Sequence, residues 1–167
     1  MSRRDKISRG MALVRRTQVL TQMLDEAAAL YLGINTTDGR AIDVIDQAGG
    51  RIAAGDLARE LRVSTGAVTT IVDRLEKAGY ARRVADPDDR RRVLIEVTAK
   101  VARKSADIYG PASEESEWAS GYTDEELDLF IRFQEQSLDW LERHLAHAEE
   151  LNARKPVKRR LRGRGRA

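Results

Sequence analysis

Residues 53–98 read AAGDLARELRVSTGAVTTIVDRLEKAGYARRVADPDDRRRVLIEVT. Within that stretch Leu57, Ala58 and Leu61 give a short helix one buried side, and a turn follows. Val63 and Ser64 then start a second helix. Ser64 is a good N-cap because its hydroxyl can accept from an orphan backbone N–H of the first turn, and Val63 can staple onto Val68. Val68, Ile71, Val72 and Leu75 supply its core face, and Gly79 ends it. Tyr80 to Val84 and Val93 to Val97 alternate as strands around the turn-rich loop Ala-Asp-Pro-Asp-Asp-Arg-Arg-Arg. The order is helix, turn, helix, basic hairpin. It suits B-DNA, where one helix fits the major groove, a second braces it, and a cationic loop reaches the adjacent backbone or minor groove.

The flanks are helical. Leu13, Thr17, Leu20, Leu24, Ala27 and Tyr31 recur at alternating spacings of four and three, and Gly33 is a stop. Asn35 with Asp38 resembles a capping box and opens a helix whose apolar residues are Ala41, Ile42, Val44 and Ile45, ended by Gly49 and Gly50. From Thr98 the chain returns to helix, which Pro111 should interrupt. Thr123 and Glu126 form a capping box, with Tyr122 and Leu127 as its staple. Leu127, Ile131, Gln134, Leu138, Leu141, Leu145 and Ala148 then form a narrow seam for another helix.

A compact winged lobe needs neither end. The economical reading is a two-fold dimer platform using Leu13, Leu20 and Leu24 of the first helix and Ile131, Leu138, Leu141 and Leu145 of the last. Packing of the same helices within one chain is the alternative. The expected fold is mainly α with a small two-stranded β wing, a winged helix-turn-helix plus a helical dimerisation platform. One domain spans 11–151, with the winged lobe at 35–98 and dimerisation helices at 11–33 and 99–151. Residues 1–10 read as a basic flexible arm and 152–167 as a basic disordered tail.

Composition narrows the function. The chain has 167 residues, 41% hydrophobic and 5% aromatic, so aliphatic side chains must fill its core. With no cysteine it has no disulfide, thiolate metal site or thiol switch. Its longest apolar run, Ala27 to Leu32, is far short of the ~20 residues that span a bilayer. No signal-type apolar stretch follows the basic start, so the expectation is a soluble cytoplasmic protein without a membrane partner. The net charge of +3 conceals segregation: residues 51–104 carry +5, 105–153 carry −11 and 154–167 carry +8. A locally basic reader between acidic helices would orient its encounter with DNA.

Asn35 to Thr98 resembles the MarR family of bacterial winged-helix regulators. The resemblance is carried by Leu57-Ala58 with Leu61, by Ser64 to Leu75, and by Asp86-Pro87-Asp88-Asp89-Arg90-Arg91 running into Val93 to Thr98. It implies a homodimer that binds a pseudo-palindromic double-stranded DNA operator, usually as a repressor, and that a small aromatic or anionic effector often releases. It implies base-edge contacts from Ser64, Thr65, Ala67, Thr69 and Thr70, a phosphate or base contact from Arg74, and groove or phosphate contacts from Arg90 and Arg91 of the wing. Asp86 and Asp89 would hold the wing loop, and Tyr31 is a weak effector-binding candidate. Many relatives have Thr-Arg where this chain has Thr69-Thr70. Direct guanine readout by this helix is thereby put in question, because arginine is the usual bidentate reader of guanine.

Nothing here points to an enzyme: there is no phosphate loop, no nucleophile–base signature, no metal-spaced carboxylate cluster and no cofactor motif. His144 and His147, three apart, have a metal-compatible spacing but read as a surface pair, so no metal is expected. Trp118 and Trp140 could line a pocket, with packing as the default. The eight basic residues of the tail could follow a minor groove or simply solubilise. The alternative to a sequence-specific regulator is a winged-helix architectural or protein-interaction module without sequence readout.

Overall fold

The computed structural model describes residues 1–89, 92–110 and 120–154. In chain order the elements are α1 (Arg3–Leu32), α2 (Thr36–Gln47), β1 (Arg51–Ala53), α3 (Ala54–Leu61), α4 (Thr65–Ala78), β2 (Ala81–Ala85), β3 (Val93–Val97), α5 (Ala99–Tyr109) and α6 (Asp124–Arg154). They form two compact units that divide between α5 and α6.

In the first unit, α2, α3 and α4 pack around one aliphatic core with the sheet against them. Ile45, Leu57, Val68, Val72, Leu75 and Ile95 are all fully buried there. The buried sides of α3 and α4 are those the apolar spacing specifies. The left-handed Gly79 stops α4 at φ 74°, and a Cβ there would lie 3.4 Å from Lys100 Nζ. Beyond it, buried Tyr80 donates its hydroxyl to the Leu32 carbonyl at 2.9 Å, tying the end of α4 to the end of α1. Thr98 Oγ1 donates to the Gly79 carbonyl at 2.7 Å, which fixes the entry to α5.

The two strands of the wing, β2 and β3, are joined in the sheet by a third, β1. The sheet has the order β1-β3-β2, all antiparallel, with Ile52 opposite Ile95 and Val84 opposite Leu94. Residues 51–53 show no period of their own and become a strand only through pairing with β3. The N-terminus also departs from the expected flexible arm at 1–10. Ser2 and Asp5 form a reciprocal capping box, so α1 begins at Arg3. Every residue before Ala28 is nonetheless exposed or only partly covered.

The second unit is α6, opened by the Thr123–Glu126 capping box. Its helix continues through Asn152 to Arg154, where the sequence had suggested the start of the tail. The rest of the tail, Pro111 and Trp118 lie outside the described residues. Among the described residues no helix is long and apolar enough to cross a membrane.

Candidate nucleic-acid interface

The outer face of α4 is built by its own capping and by what lies beneath it. Ser64 accepts from the Ala67 N–H at 3.2 Å, which satisfies one first-turn donor and leaves the Ser64 hydroxyl hydrogen free to donate outward. Val68, Ile71, Val72 and Leu75 pull one side of the helix into the core. Ser64, Thr65, Thr69 and Thr70 are left exposed on the other side, with Ala67 half-buried at the margin. Two of these hydroxyls are already engaged: Thr69 Oγ1 donates to the Thr65 carbonyl and Thr70 Oγ1 to the Gly66 carbonyl, each at 3.2 Å.

Arg74, one turn on, is held by the fold. Its Nε and Nη2 donate to the two carboxylate oxygens of Asp38 at 2.9 and 2.5 Å, a bidentate fork that joins α4 to the first turn of α2. The Asp38 side chain is 2% exposed and also accepts from Asn35 Nδ2 at 2.9 Å. The Asp38 hydrogen bond raises the Arg74 guanidinium above its ordinary range. Asp38 is therefore buried but fully partnered, and Arg74 is first a bond between helices. The sequence had offered Arg74 to a phosphate or a base.

The wing has its own internal frame. Asp86 is buried and accepts from the Asp88 N–H at 2.9 Å, an Asx turn at the loop entrance. The Asp86 N–H donates to the Arg92 carbonyl at 3.0 Å, and the Arg92 N–H donates to the Asp89 carbonyl at 2.8 Å. Arg92 also reaches Asp56 at 2.9 Å, strapping the root of the wing to the first turn of α3. On β2, Arg82 pairs with Glu96 at 2.6 Å, and Arg83 pairs with Asp73 at 2.7 Å and with Glu76. Five arginines of this lobe (59, 74, 82, 83 and 92) are thus ion-paired with neighbouring acids, Asp56 being shared by Arg59 and Arg92. Arg90 and Arg91, expected at the wing tip, lie outside the described residues.

A cleft of about 350 Å³ opens between α1, α2 and α5. Ala28, Ala29, Leu32 and Ile42 form its apolar floor, and Asp25, Glu26, Asp43, Arg40 and Tyr109 line it. Burial, then the charges of Asp25 and Asp46, push the Asp43 carboxyl up. Burial, then Asp25 and Asp43, raise the Tyr109 hydroxyl. Tyr31 is not part of this lining. Its hydroxyl donates to Asp107 at 2.8 Å and its ring lies 4.8 Å beneath Lys104 Nζ, so it clamps α1 to α5 beside the cleft.

These features have counterparts. A model described as MarR family matches residues 32–92. The uncharacterized HTH-type transcriptional regulator YcgE of Bacillus subtilis (strain 168) is 37% identical over 150 residues, which are 89% of this chain and 97% of YcgE. The chain belongs to the MarR family. Its similarity to the HTH-type transcriptional repressor YetL of Bacillus subtilis (strain 168) is 30% identity over 83 residues, 49% of this chain and 50% of YetL. An S. aureus MepR mutant bound to an oligodeoxyribonucleotide has the same fold, with TM-score 0.50 and 19% identity over 78% of this chain and 96% of that one.

In this MarR-family transcriptional regulator the expected reader residues Ser64, Thr65, Ala67, Thr69 and Thr70 lie on one exposed side of one helix. Arg74, one turn on, is paired with Asp38 and keeps a partly exposed side chain. Sequence reasoning missed Asp38 and Asp56 as partners of the reader and the wing. An acid at an N-terminal turn reads first as a capping residue, and both partners are 36 residues away. The expected interface leucines are all exposed: Leu13, Leu20 and Leu24 on α1, and Leu138, Leu141 and Leu145 with Ile131 on α6. His144 and His147 are exposed as well, with the His144 ring stacked 3.9 Å from that of Trp140.

Proposed function

We propose that this MarR-family regulator is a homodimeric repressor that binds a pseudo-palindromic operator, placing α4 in the major groove and the wing beside it. The observation that carries the reading is the outer face of α4, where capped, small, hydroxyl-bearing residues stand clear of the core next to a hairpin frame built by Asp86. An oligodeoxyribonucleotide on a MepR mutant of the same fold supports DNA as the partner, and the partial similarity to the repressor YetL supports repression. Dimerisation is supported by long apolar stripes left uncovered on α1 and α6. A lone helix in water is marginal, and a two-fold pair presents two readers to half-sites one turn apart.

Effector release belongs to the same proposal. A small aromatic molecule in the cleft would press on the first turn of α2, where Thr36, Gly39 and Arg40 flank Asp38, and through Asp38 on α4. The acidic lining suits a body without negative charge, a departure from the anionic class that the family resemblance implies. Arg90 and Arg91 complete the proposal as the groove or phosphate contacts of the wing.

The test is selection of bound duplexes from a random pool by the purified protein. The expected outcome is one two-fold-symmetric site, preferred by ~10³-fold or more over random duplex at a fixed salt concentration. Binding that tracks only salt, with no enriched sequence, would instead establish an architectural module.

A further inference from the structure

We infer that Thr69 and Thr70 read the C5-methyl of thymine, so each operator half-site carries thymine under the middle of α4. This rests on the DNA-binding reading above and names what that face recognises.

Chemistry available at the face leads there. Major-groove edges present guanine N7 and O6 acceptors, adenine N7 with an N6 donor, a cytosine N4 donor, and thymine O4 beside its methyl. Guanine is read by donors. At 69 and 70 the hydroxyl hydrogens are already given to the carbonyls of Thr65 and Gly66, each at 3.2 Å. What each threonine has left is a methyl group and the two acceptor lone pairs of its hydroxyl oxygen. Arg74, the long donor closest along the helix, has its Nε and Nη2 held by Asp38. The middle of α4 thus offers methyls and acceptors where guanine requires donors. Freeing either threonine hydroxyl to donate would leave a first-turn carbonyl without that bond and gain only a neutral hydrogen bond. A methyl-to-methyl contact in the floor of the groove needs no such exchange. Donation is concentrated at the start of the helix instead, where Ser64 accepts and is still able to donate, and where Thr65 has no hydroxyl partner among the described residues.

The experiment uses the full-length protein and the operator obtained by selection. Each thymine of one half-site is replaced in turn by deoxyuridine, which removes the methyl and leaves O4 in place. One or two positions are expected to weaken binding by about three- to tenfold, the effect of one buried methyl. T69S and T70S keep the hydroxyl and remove the side-chain methyl. One of them should bind more weakly by a similar factor and lose the response to deoxyuridine at its position. T69V and T70V keep a methyl and remove the hydroxyl, and should retain both affinity and the response. Circular dichroism melts confirm that all four variants fold. A selected operator with no deoxyuridine-sensitive thymine overturns the inference while leaving the regulator reading intact. So does sensitivity that persists unchanged in both serine variants, or loss of affinity in the valine variants with serine tolerated. A pool with no enriched sequence overturns the regulator reading and this inference with it.

Discussion

At position 74 a cation that the sequence offers to DNA is engaged within the protein. Its partner Asp38 is buried and accepts from both Arg74 and Asn35. Removing the guanidinium strands a buried carboxylate, so Arg74→Ala is expected to lower stability by about 1–3 kcal/mol. The figure is at the lower end for a broken buried pair because Arg74 itself is partly solvated. Denaturant melts without DNA check this, and an unchanged midpoint would show that the pair is ornamental. Arg62 is a second residue-scale case. It caps α3 at φ 54°, a left-handed conformation that glycine adopts without steric cost. Arg62→Gly is expected to hold or raise the melting temperature, by up to about 1 kcal/mol of stability, and a clear loss would mean that the Arg62 side chain outweighs the strain. At this scale the sequence was legible wherever chemistry is local: Ser64 and Gly79 stand where capping rules put them. Asp38 with Arg74 was not, because 36 residues separate the partners and no local pattern pairs them.

The wing shows the same division between elements. Its two long strands were legible from alternation and its loop from Asp-Pro-Asp-Asp, whereas β1 exists only because β3 has a free edge for residues 51–53. Asp86 organises the loop entrance through the Asx turn to Asp88 and lies 3.8 Å from Arg92. Asp86→Ala should therefore loosen the wing and weaken operator binding by about 1–2 kcal/mol, less than or comparable to loss of a groove-inserted arginine. Fluorescence anisotropy on the selected operator measures it, and full affinity in the variant would remove the wing from recognition. The cleft between α1, α2 and α5 carries a pH prediction. Burial raises the Asp43 carboxyl above its unfolded value, so the folded state favours the protonated acid. Its charge then costs stability above the folded pKa, and that cost disappears as pH falls below the unfolded value. Asp43→Asn should stabilise the protein at pH 7 by less than about 1 kcal/mol and give no gain at acid pH. A gain that is the same at both pH values would contradict the cause assigned to the shift. The cleft itself had no sequence signature, since its lining comes from three helices far apart in the chain.

For the whole molecule, the lengthwise stripes of α1 and α6 were legible as periodicity, but periodicity alone does not say what covers them. Leu138 is 60% exposed, in the middle of the α6 seam. Leu138→Asp is expected to give monomers by analytical ultracentrifugation, with operator affinity lost alongside. A variant that still sediments as a dimer would place the interface elsewhere. The charge pattern has an internal side as well: the winged lobe is basic in sum, and several of its arginines also tie its elements together through ion pairs. One consequence concerns cellular dosage. Some 25 residues of α1, about 38 Å of helix at ~1.5 Å per residue, have almost no cover within their own unit. A newly made chain meets proteases with that segment open, and cleavage of open segments follows their equilibrium population. The proposed pairing would close them, and the pool of intact protein would then rise more steeply than first order with synthesis rate.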